Sequence, residues 1–277
     1  MADVTLTLKR TTTAYYDAEC ITPDAFAGKS AKEVGEMPVW EGNRKLKLAD
    51  VFDVAGEPGA SAAETKIVVK GQAACVKRIG QGMTAGEIVV EGDAGMHCGA
   101  KMKGGKVTVK GNADDWAGAM MEGGELHVEG NAANFCGAAY RGEWVGMKDG
   151  LIVVDGTVGH DAMAWARNSK NLGRWPKLVC SGAGMFLGIH SHGGTIVVKK
   201  TDRSPDPIVG RRCGADMARG VIVLEGRPEL MLPSFVKEAD ETDPELPNGE
   251  KLQGTYEVWR GDLAVGLKTP GKIYVKK

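Results

Sequence analysis

The sequence predicts an all-β protein: a right-handed parallel β-helix of about eight coils, ~19–26 residues each, with a small α/β N-terminal cap and an extended C-terminal arm. The pattern G-x-I-V-V-x-G-[ND]-A recurs down the middle of the chain. The strand-ending glycines Gly92, Gly111 and Gly130 lie 19 residues apart, which indicates one small structural unit stacked many times. No helical pattern connects the repeats, which excludes an alternating β-α-β architecture.

Each repeat predicts two short strands. The first is a β-branched run such as residues 88–90, and we expect the second at a small-residue run such as residues 98–100. Asp93 follows a strand-ending glycine, and this pair tolerates left-handed backbone conformations, so it predicts a tight corner. At ~4.8 Å per coil, the rod is roughly 35–40 Å long.

Side chains alternate along each strand, so the aligned repeats assign columns of residues to the inside and outside of the rod. The columns predicted to point inward are Ile67, Ile88, Val107, Leu126, Ile152, Ile196 and Ile222, and Met102, Met121, Tyr140 and Met217. The column predicted to point outward is Val68, Val89, Thr108, His127, Val153, Val197 and Val223. An apolar outer stripe is usually covered, and the sequence leaves open whether a partner or another segment covers it.

The chain divides into an N-terminal cap and linker (1–65), the β-helix (66–226) and a C-terminal arm (227–277). A capping box at Ser30 and Glu33 predicts a short helix in the cap. Because the open edges of a β-helix need cover, we expect the proline-rich arm to cap the far end or dock on a partner. Insertions at 142–150 and 164–177 interrupt the repeats, and insertions in such rods often form the binding face.

Composition limits the class of protein. The 277 residues carry a formal net charge of −1, with no apolar run long enough for a membrane span and no global signal for nucleic acid. The N-terminus lacks the apolar core of a signal peptide, so we expect a cytoplasmic protein. Cys98 and Cys136 lie two coils apart, about 9–10 Å, which exceeds disulfide geometry and predicts stacked free thiols.

The sequence predicts neither a catalytic constellation nor a metal site. His190 and His192 form an H-x-H pair, but no further ligand follows at suitable spacing, so we expect surface or interface histidines. No nucleophile elbow or phosphate loop is present. Carboxylates that recur on successive coils are typical of solvated turns, although a paired-carboxylate glycosidase remains an alternative; they are Asp114, Asp115, Glu122 and Glu143.

Basic residues gather in and beside the rod. Several can line one side and hold a polyanionic ligand, and ordinary solubilising charge is the alternative. They are Lys77, Arg78, Lys101, Lys103, Arg141, Arg167, Lys170, Arg174, Lys177, Arg211 and Arg212.

The segments 76–105, 111–124 and 138–150 resemble the G-x-G-x-G β-helix family, which includes the C-terminal domain of the glutamate synthase large subunit. The closer resemblance is to the C subunit of formylmethanofuran dehydrogenase and of the bacterial formyltransferase/hydrolase complex of methylotrophs. The A-Y-R-G-E-W-x-G-M segment at 139–147 is the most specific part, because the coil itself does not require it. The resemblance covers 66–226 well and the two ends less well.

The resemblance implies a role in one-carbon metabolism. Irregular segments at 164–194 and 205–207 favour the bacterial complex, which transfers a formyl group from tetrahydromethanopterin to methanofuran and hydrolyses formylmethanofuran to formate. The implied partners are an amidohydrolase-like subunit, a formyltransferase subunit and a dehydrogenase-like subunit. This chain is then a noncatalytic scaffold without a tightly bound cofactor, and methanofuran is the carrier that the complex uses.

The resemblance also implies a site for the glutamate-bearing arm of methanofuran. The residues predicted to hold this anionic arm are Arg141, Arg167, Lys170, Arg174 and Lys177. Three alternatives stay open: a subunit of an archaeal-type tungsten or molybdenum formylmethanofuran dehydrogenase, a free-standing β-helix enzyme that acts on a polysaccharide, and a detached amidotransferase-type domain.

Overall fold

The computed structural model describes residues 2–168, 175–266 and 271–277. The strands are β1 (Ala2–Leu8), β2 (Tyr16–Asp17), β3 (Pro38–Glu41), β4 (Arg44–Lys47), β5 (Phe52–Gly56), β6 (Thr65–Lys70), β7 (Val76–Lys77), β8 (Glu87–Val90), β9 (Lys103–Val109), β10 (Glu122–Val128), β11 (Asp149–Val154), β12 (Thr157–Val158), β13 (Lys177–Cys180), β14 (Gly182–Ala183), β15 (His192–Val198), β16 (Arg219–Leu224), β17 (Val236–Thr242), β18 (Thr255–Arg260) and β19 (Lys272–Lys276). The helices α1 (Pro23–Phe26), α2 (Ala31–Gly35) and α3 (Leu48–Val51) are short, and no helix in the described part has the length and apolarity needed to cross a membrane.

Successive coils stack through parallel strand pairing. Strands β6, β8, β9, β10, β11, β13, β15 and β16 lie side by side in one large sheet, in chain order. Ile67 faces Ile88, which faces Val107, so equivalent residues of successive repeats meet in register. A second ladder of parallel bridges joins Ala94 to Ala113 and Ala113 to Ala132 on another side of the rod. The predicted all-β stack is confirmed.

The strand column predicted to point inward forms the core, and each of its members is 3% exposed or less. Met102, Met121 and Met217 are also buried, as predicted. The prediction for Tyr140 is wrong, because the insertion that follows it moves Met147 into the methionine column. The Met147 N–H donates to the Gly137 carbonyl, just as the Met121 N–H donates to that of Gly118.

The second predicted strand of each repeat is instead a turn, and this corrects the sequence-based expectation. In residues 98–100 and their equivalents, alternate backbone positions are left-handed, with φ of 64° at His97, 65° at Gly99 and 57° at Lys101. The N–H groups of His97 and Lys101 donate to the carbonyls of Asp115 and Ala119 in the following coil. The N–H of Gly99, between them, donates to the Ile79 carbonyl in the preceding coil. The turn therefore satisfies its backbone across coils without the extended geometry of a strand.

The outward apolar stripe is covered at one end by the chain itself. Val223 is 1% exposed and packs with Leu246 and Tyr256 of the C-terminal segment. The ion pair between Lys177 and Glu250, at 2.7 Å, ties this segment to the rod. Farther toward the N-terminus, the stripe stays half-buried at Val68, Val89, Thr108 and Val153.

Both ends of the rod are capped by strands that continue the large sheet. At the N-terminal end β1 pairs in parallel with β6, and β5 pairs antiparallel with β1. The predicted capping box of Ser30 and Glu33 begins α2. At the other end β19 pairs with β16, and the antiparallel strands β18 and β17 follow, so the arm takes the capping alternative. The predicted domain boundaries at residues 65 and 226 stay predictions. Strand pairing in the large sheet continues across both of them.

The outermost C-terminal strand, β17, is exposed along most of its length and rich in charge. Its charged side chains pair back across the meander: Lys237 with Glu257, Glu238 with Arg260, and Asp240 with Lys277. Charged edge strands of this kind resist pairing with another sheet.

The cysteines are free thiols, as the sequence predicts. Cys98, Cys136 and Cys213 lie in the core, and burial raises the pKa of Cys98 and of Cys213 to about 12. These thiols are therefore packing groups rather than nucleophiles at neutral pH.

Close stacking makes specific glycines necessary, and Gly123→Ala tests this. A Cβ at Gly123 meets the Lys103 carbonyl oxygen of the preceding coil at 2.5 Å, where backbone cannot yield cheaply. We expect a loss of about 2 kcal/mol or more of unfolding free energy, measured by chemical denaturation. Gly266→Ala is the control, because its Cβ meets nothing within 4 Å. Equal stability of the two variants contradicts the prediction.

Candidate functional site

The turns place two columns of outward side chains along one corner of the rod. The first turn column occupies the left-handed position before the small-residue run, and its members have φ between 58° and 68°. It consists of Arg78, His97, Trp116, Phe135, Asp161, Phe186 and Arg212. The second turn column lies four residues later in each repeat and includes Lys101, Met120, Ala139, Trp165, His190 and Asp216.

Aromatic rings stack along these columns. The Trp116 and Phe135 rings lie 4.2 Å apart and nearly parallel, and the Trp165 and His190 rings lie 4.4 Å apart. Trp144, from the first insertion, packs edge-on against Trp165 at 4.9 Å. The coil spacing of ~4.8 Å is close to the distance that stacked rings prefer, so the backbone repeat itself builds the stack.

A cavity of about 330 Å³, here called the corner pocket, opens between the two columns. One wall is Trp116, Phe135 and Tyr140, and the opposite wall is Trp144, Trp165 and His190. Ala139 lies between them where other coils carry larger side chains, which leaves the space open. Asp161, Arg141 and Glu143 supply the charged groups of the lining.

Burial controls the ionisation of the polar groups at this corner. The pKa of His97 is lowered by burial and by the nearby Arg78 and Lys77. The Tyr140 hydroxyl lies 3.1 Å from His97 Nδ1, and burial raises the pKa of Tyr140. Burial also raises the pKa of Asp161, against the opposing effect of His160, Arg141 and His190. Burial therefore disfavours the charged form of both His97 and Asp161, which flank the same aromatic stack.

A second feature, the basic column, runs beside the corner at the start of the large sheet. Arg167 bridges to His192, and His192 pairs with Arg219, so three basic side chains lie on successive coils. Three earlier coils place Lys103, Glu122 and Lys148 at the same position, so the column is uniformly basic only from Lys148 onward.

The basic column concentrates positive charge. Lys148 is paired with Glu122 at 2.6 Å, whereas Arg167 and Arg219 form no ion pair with any residue of the described chain. The Arg167 Nε is buried without a hydrogen-bond partner. The pKa of His192 is lowered by burial first, and then by Arg167, Arg219 and His190.

The residues predicted to hold an anionic arm lie at separate places. Arg141 lines the corner pocket, with its guanidinium 5.7 Å from the Phe135 ring centre. Arg167 belongs to the basic column, and the Lys177 ammonium lies 2.7 Å from both carboxylate oxygens of Glu250. Lys170 and Arg174 lie outside the described residues.

The two histidines of the H-x-H pair divide between the features. His190 stacks on Trp165 and lies 3.7 Å from Asp216, and His192 belongs to the basic column. Among residues 2–168, 175–266 and 271–277, no group of three or more His, Cys, Asp or Glu side chains is placed to hold a metal ion.

Sequence reasoning missed the aromatic stack and Arg219. A signal for the stack exists: in six of the seven repeats a large side chain stands directly before a small or apolar residue and a glycine, as in Trp116-Ala117-Gly118. Arg219 carries no comparable signal, because the register shift after His192 is visible only in three dimensions.

Neutral His97 predicts a pH dependence of stability. Its folded-state pKa lies below the unfolded value of about 6.5, so the unfolded state binds the proton first as pH falls. The stability contribution is thus fully present above about pH 6.5 and is lost as pH falls from there through the lowered folded pKa. We expect the melting temperature of His97→Gln to fall less than that of the wild type between pH 7.5 and 5.5. The difference between the two melting temperatures should be constant between pH 7.5 and 8.5. If the two plots of melting temperature against pH are parallel over the whole range, the prediction is contradicted.

Comparisons with known proteins identify the family. No family model matches the chain. The chain is 38% identical over 279 residues to the C subunit of the tungsten-containing formylmethanofuran dehydrogenase 2 of Methanococcus maripaludis, a match that covers 99% of this chain and 96% of that protein. It is 50% identical over 97 residues to the C subunit of the molybdenum-containing formylmethanofuran dehydrogenase 1 of Methanosarcina barkeri, a match that covers 35% of this chain and 32% of that protein.

The local match spans about a third of the Methanosarcina protein, whereas the Methanococcus match spans nearly all of both chains. The crystal structure of the formyltransferase/hydrolase complex from Methylorubrum extorquens with methylofuran contains a similar chain, with a TM-score of 0.81, 27% identity and 99% of each chain covered. The chain thus shares its sequence over its whole length with the Methanococcus subunit and its fold with the Methylorubrum chain. The chain belongs to the family of formylmethanofuran dehydrogenase C subunits.

Proposed function

We propose that this chain is a noncatalytic scaffold subunit of a formyltransferase/hydrolase complex. That complex transfers a formyl group from tetrahydromethanopterin to methanofuran and hydrolyses formylmethanofuran to formate. The observation that carries the proposal is the likeness of fold, over 99% of both chains, to a chain of the Methylorubrum complex. The proposed partners are an amidohydrolase-like subunit, a formyltransferase subunit and a dehydrogenase-like subunit.

The surface of the rod supports a scaffold role. Trp144 is 65% exposed, and large exposed aromatic side chains are typical anchors of protein interfaces. The uncovered part of the apolar stripe, at Val68, Val89 and Val153, offers a second surface of the same kind. The titratable groups also favour a noncatalytic role, since burial raises the pKa of the Cys98 thiol and His190 is held between Trp165 and Asp216.

A second candidate is a subunit of an archaeal-type tungsten or molybdenum formylmethanofuran dehydrogenase. It is favoured by identity, because the whole-chain match to the Methanococcus protein is 38%, against 27% for the Methylorubrum chain. Family membership favours both complexes over a free-standing enzyme that acts on a polysaccharide.

We further propose that the chain holds the anionic arm of methanofuran at the basic column and does not bind a cofactor tightly. Arg167 has the most suitable position among the predicted residues, since its Nε lacks a partner and Arg219 and His192 are adjacent. Lys177 contributes less, because Glu250 already neutralises it. Arg141, at the corner pocket, and Lys170 and Arg174, outside the described residues, also stay in the proposal.

A cytoplasmic location is part of the proposal. Its support is the set of free cysteines, which fits a reducing compartment.

Purification of the tagged chain from its native host tests complex membership. Amidohydrolase-like and formyltransferase-like proteins at near-equal amounts support the first candidate. A companion that carries tungsten or molybdenum supports the second. A chain that elutes alone, from cells that make the complex, contradicts both.

Charge reversal tests the arm site. We expect Arg167→Glu combined with Arg219→Glu to raise the KM of the purified complex for methanofuran about tenfold, because charge-assisted hydrogen bonds contribute about 1.5–3 kcal/mol. The maximal rate should change little, since the chemistry lies elsewhere. Lys199→Glu with Lys200→Glu is the matched control, as both lysines are exposed and outside the basic column. Equal KM values in the two variants contradict the arm site.

A further inference from the structure

We propose that the corner pocket binds an organic cation, an alkylammonium or guanidinium head group. This ligand has the opposite charge to the carrier arm proposed for the basic column, so the inference goes beyond the proposed function. Three features favour such a ligand: aromatic walls, carboxylates without ion pairs, and the cation contacts that the same columns already make.

Aromatic faces enclose the pocket from both sides. Trp165 is held parallel to His190, and Trp144 stands edge-on to Trp165 at 4.9 Å, so the two indoles form a corner. On the opposite wall Tyr140 stands edge-on to Trp116 at 5.2 Å and is fixed by His97. Cations are attracted to the faces of such rings, most strongly to Trp, and a rigid set of rings binds them without reorganisation.

Two carboxylates without partners supply the negative charge. Asp161 is half-buried at the pocket, and its carboxylate makes no hydrogen bond or ion pair with any part of the chain that the structure describes. Glu143 is exposed on the rim, and its side chain is likewise without an ion pair there. Partial burial of a carboxylate that has no direct partner, as at Asp161, is unfavourable, and a bound cation reduces that cost.

The charges of the lining sum to −1 when His190 is neutral, from Asp161, Glu143 and Arg141. Arg141 lies at the exposed rim over the Phe135 ring, beyond ion-pair distance of Asp161, so it offsets the Asp161 charge only in part. His190 has its own carboxylate neighbour in Asp216, at 3.7 Å. The interior of the pocket therefore keeps a carboxylate that has no direct ion pair and that feels the positive groups His160, Arg141 and His190 only at longer range.

The same corner already holds cations on its rings. The Lys101 ammonium lies 5.3 Å from the Tyr140 ring centre, and the Arg212 guanidinium lies 5.6 Å from that of Phe186. Trp144 and Trp165 have no such cation among the described side chains. A cation bound from solution at Trp144 and Trp165 would make the same kind of ring contact that Lys101 and Arg212 make at Tyr140 and Phe186.

A volume of about 330 Å³ accommodates a head group with a four-carbon chain. Two sources share this chemistry: a lysine or arginine side chain of a companion protein, and a free small amine. Titration with small ligands tests whether the pocket binds an ammonium group. Cross-linking in the native host then shows whether that group belongs to a companion protein or to a free amine.

Fluorine NMR of the purified chain, labelled with 5-fluorotryptophan, measures binding at individual indoles. Trp144→Phe and Trp165→Phe assign the two resonances. We expect n-butylammonium to shift both resonances saturably, and butyrate and 1-butanol, of equal chain length, to leave them in place. Asp161→Asn should weaken ammonium binding at least threefold, because it removes the half-buried negative charge that the ammonium would pair with. Asp202→Asn, an exposed carboxylate on another face, is the control.

Equal shifts with 1-butanol or butyrate, or unchanged ammonium binding in Asp161→Asn, overturn the inference. Either result leaves complex membership intact, because that is read from the purified companions. For the source, benzoylphenylalanine in place of the rim residue Arg141, which leaves both carboxylates intact, is photo-activated in the native host. A cross-linked peptide with Lys or Arg at the adduct indicates a companion's side chain, and ammonium binding without a protein adduct indicates a free amine.

Discussion

Parallel backbone pairing between coils is the constraint on which the rest of this structure depends. Each strand of the rod meets the equivalent strand of the next coil in register, so Ile67, Ile88 and Val107 form one continuous row. Glycine positions such as Gly123 follow from that pairing, because a Cβ there meets the neighbouring coil's carbonyl. The turn follows as well, since its N–H groups alternate between the two adjacent coils.

The surface features are consequences of the same repeat. One position in the turn becomes a stack of rings from His97 to Phe135, and one position at the strand start becomes the basic column. An irregular coil then creates a site: the insertion after Tyr140 adds Trp144 and leaves Ala139 between two walls of rings. The regular coils hold the rings in place, and the irregular coil after Tyr140 creates the pocket.

The sequence was sufficient for the large sheet, because strand-ending glycines and β-branched runs recur with one period, and it located the capping box at Ser30. The sequence was misleading for the turn, because the composition of Cys-Gly-Ala suits a strand. The observed turn has alternating left-handed φ values, which follow from hydrogen bonds to the two adjacent coils. Arg167 was found from its charge. Arg219 and Asp161 were not found, because their positions depend on which coil lies adjacent.

The charged edge strand β17 determines how far the sheet can grow. Parallel stacking has no intrinsic end, and a rod with bare strands at both ends would pair with further copies into a filament. Here the outermost strand, β17, follows the reversed strand β18 and runs in the same direction as the coil strands, but its charged side chains are already paired, as Lys237 is with Glu257 and Asp240 with Lys277. An incoming rod would have to remove these paired charges from water, which disfavours growth of the sheet beyond β17 and leaves the sides of the rod for recognition.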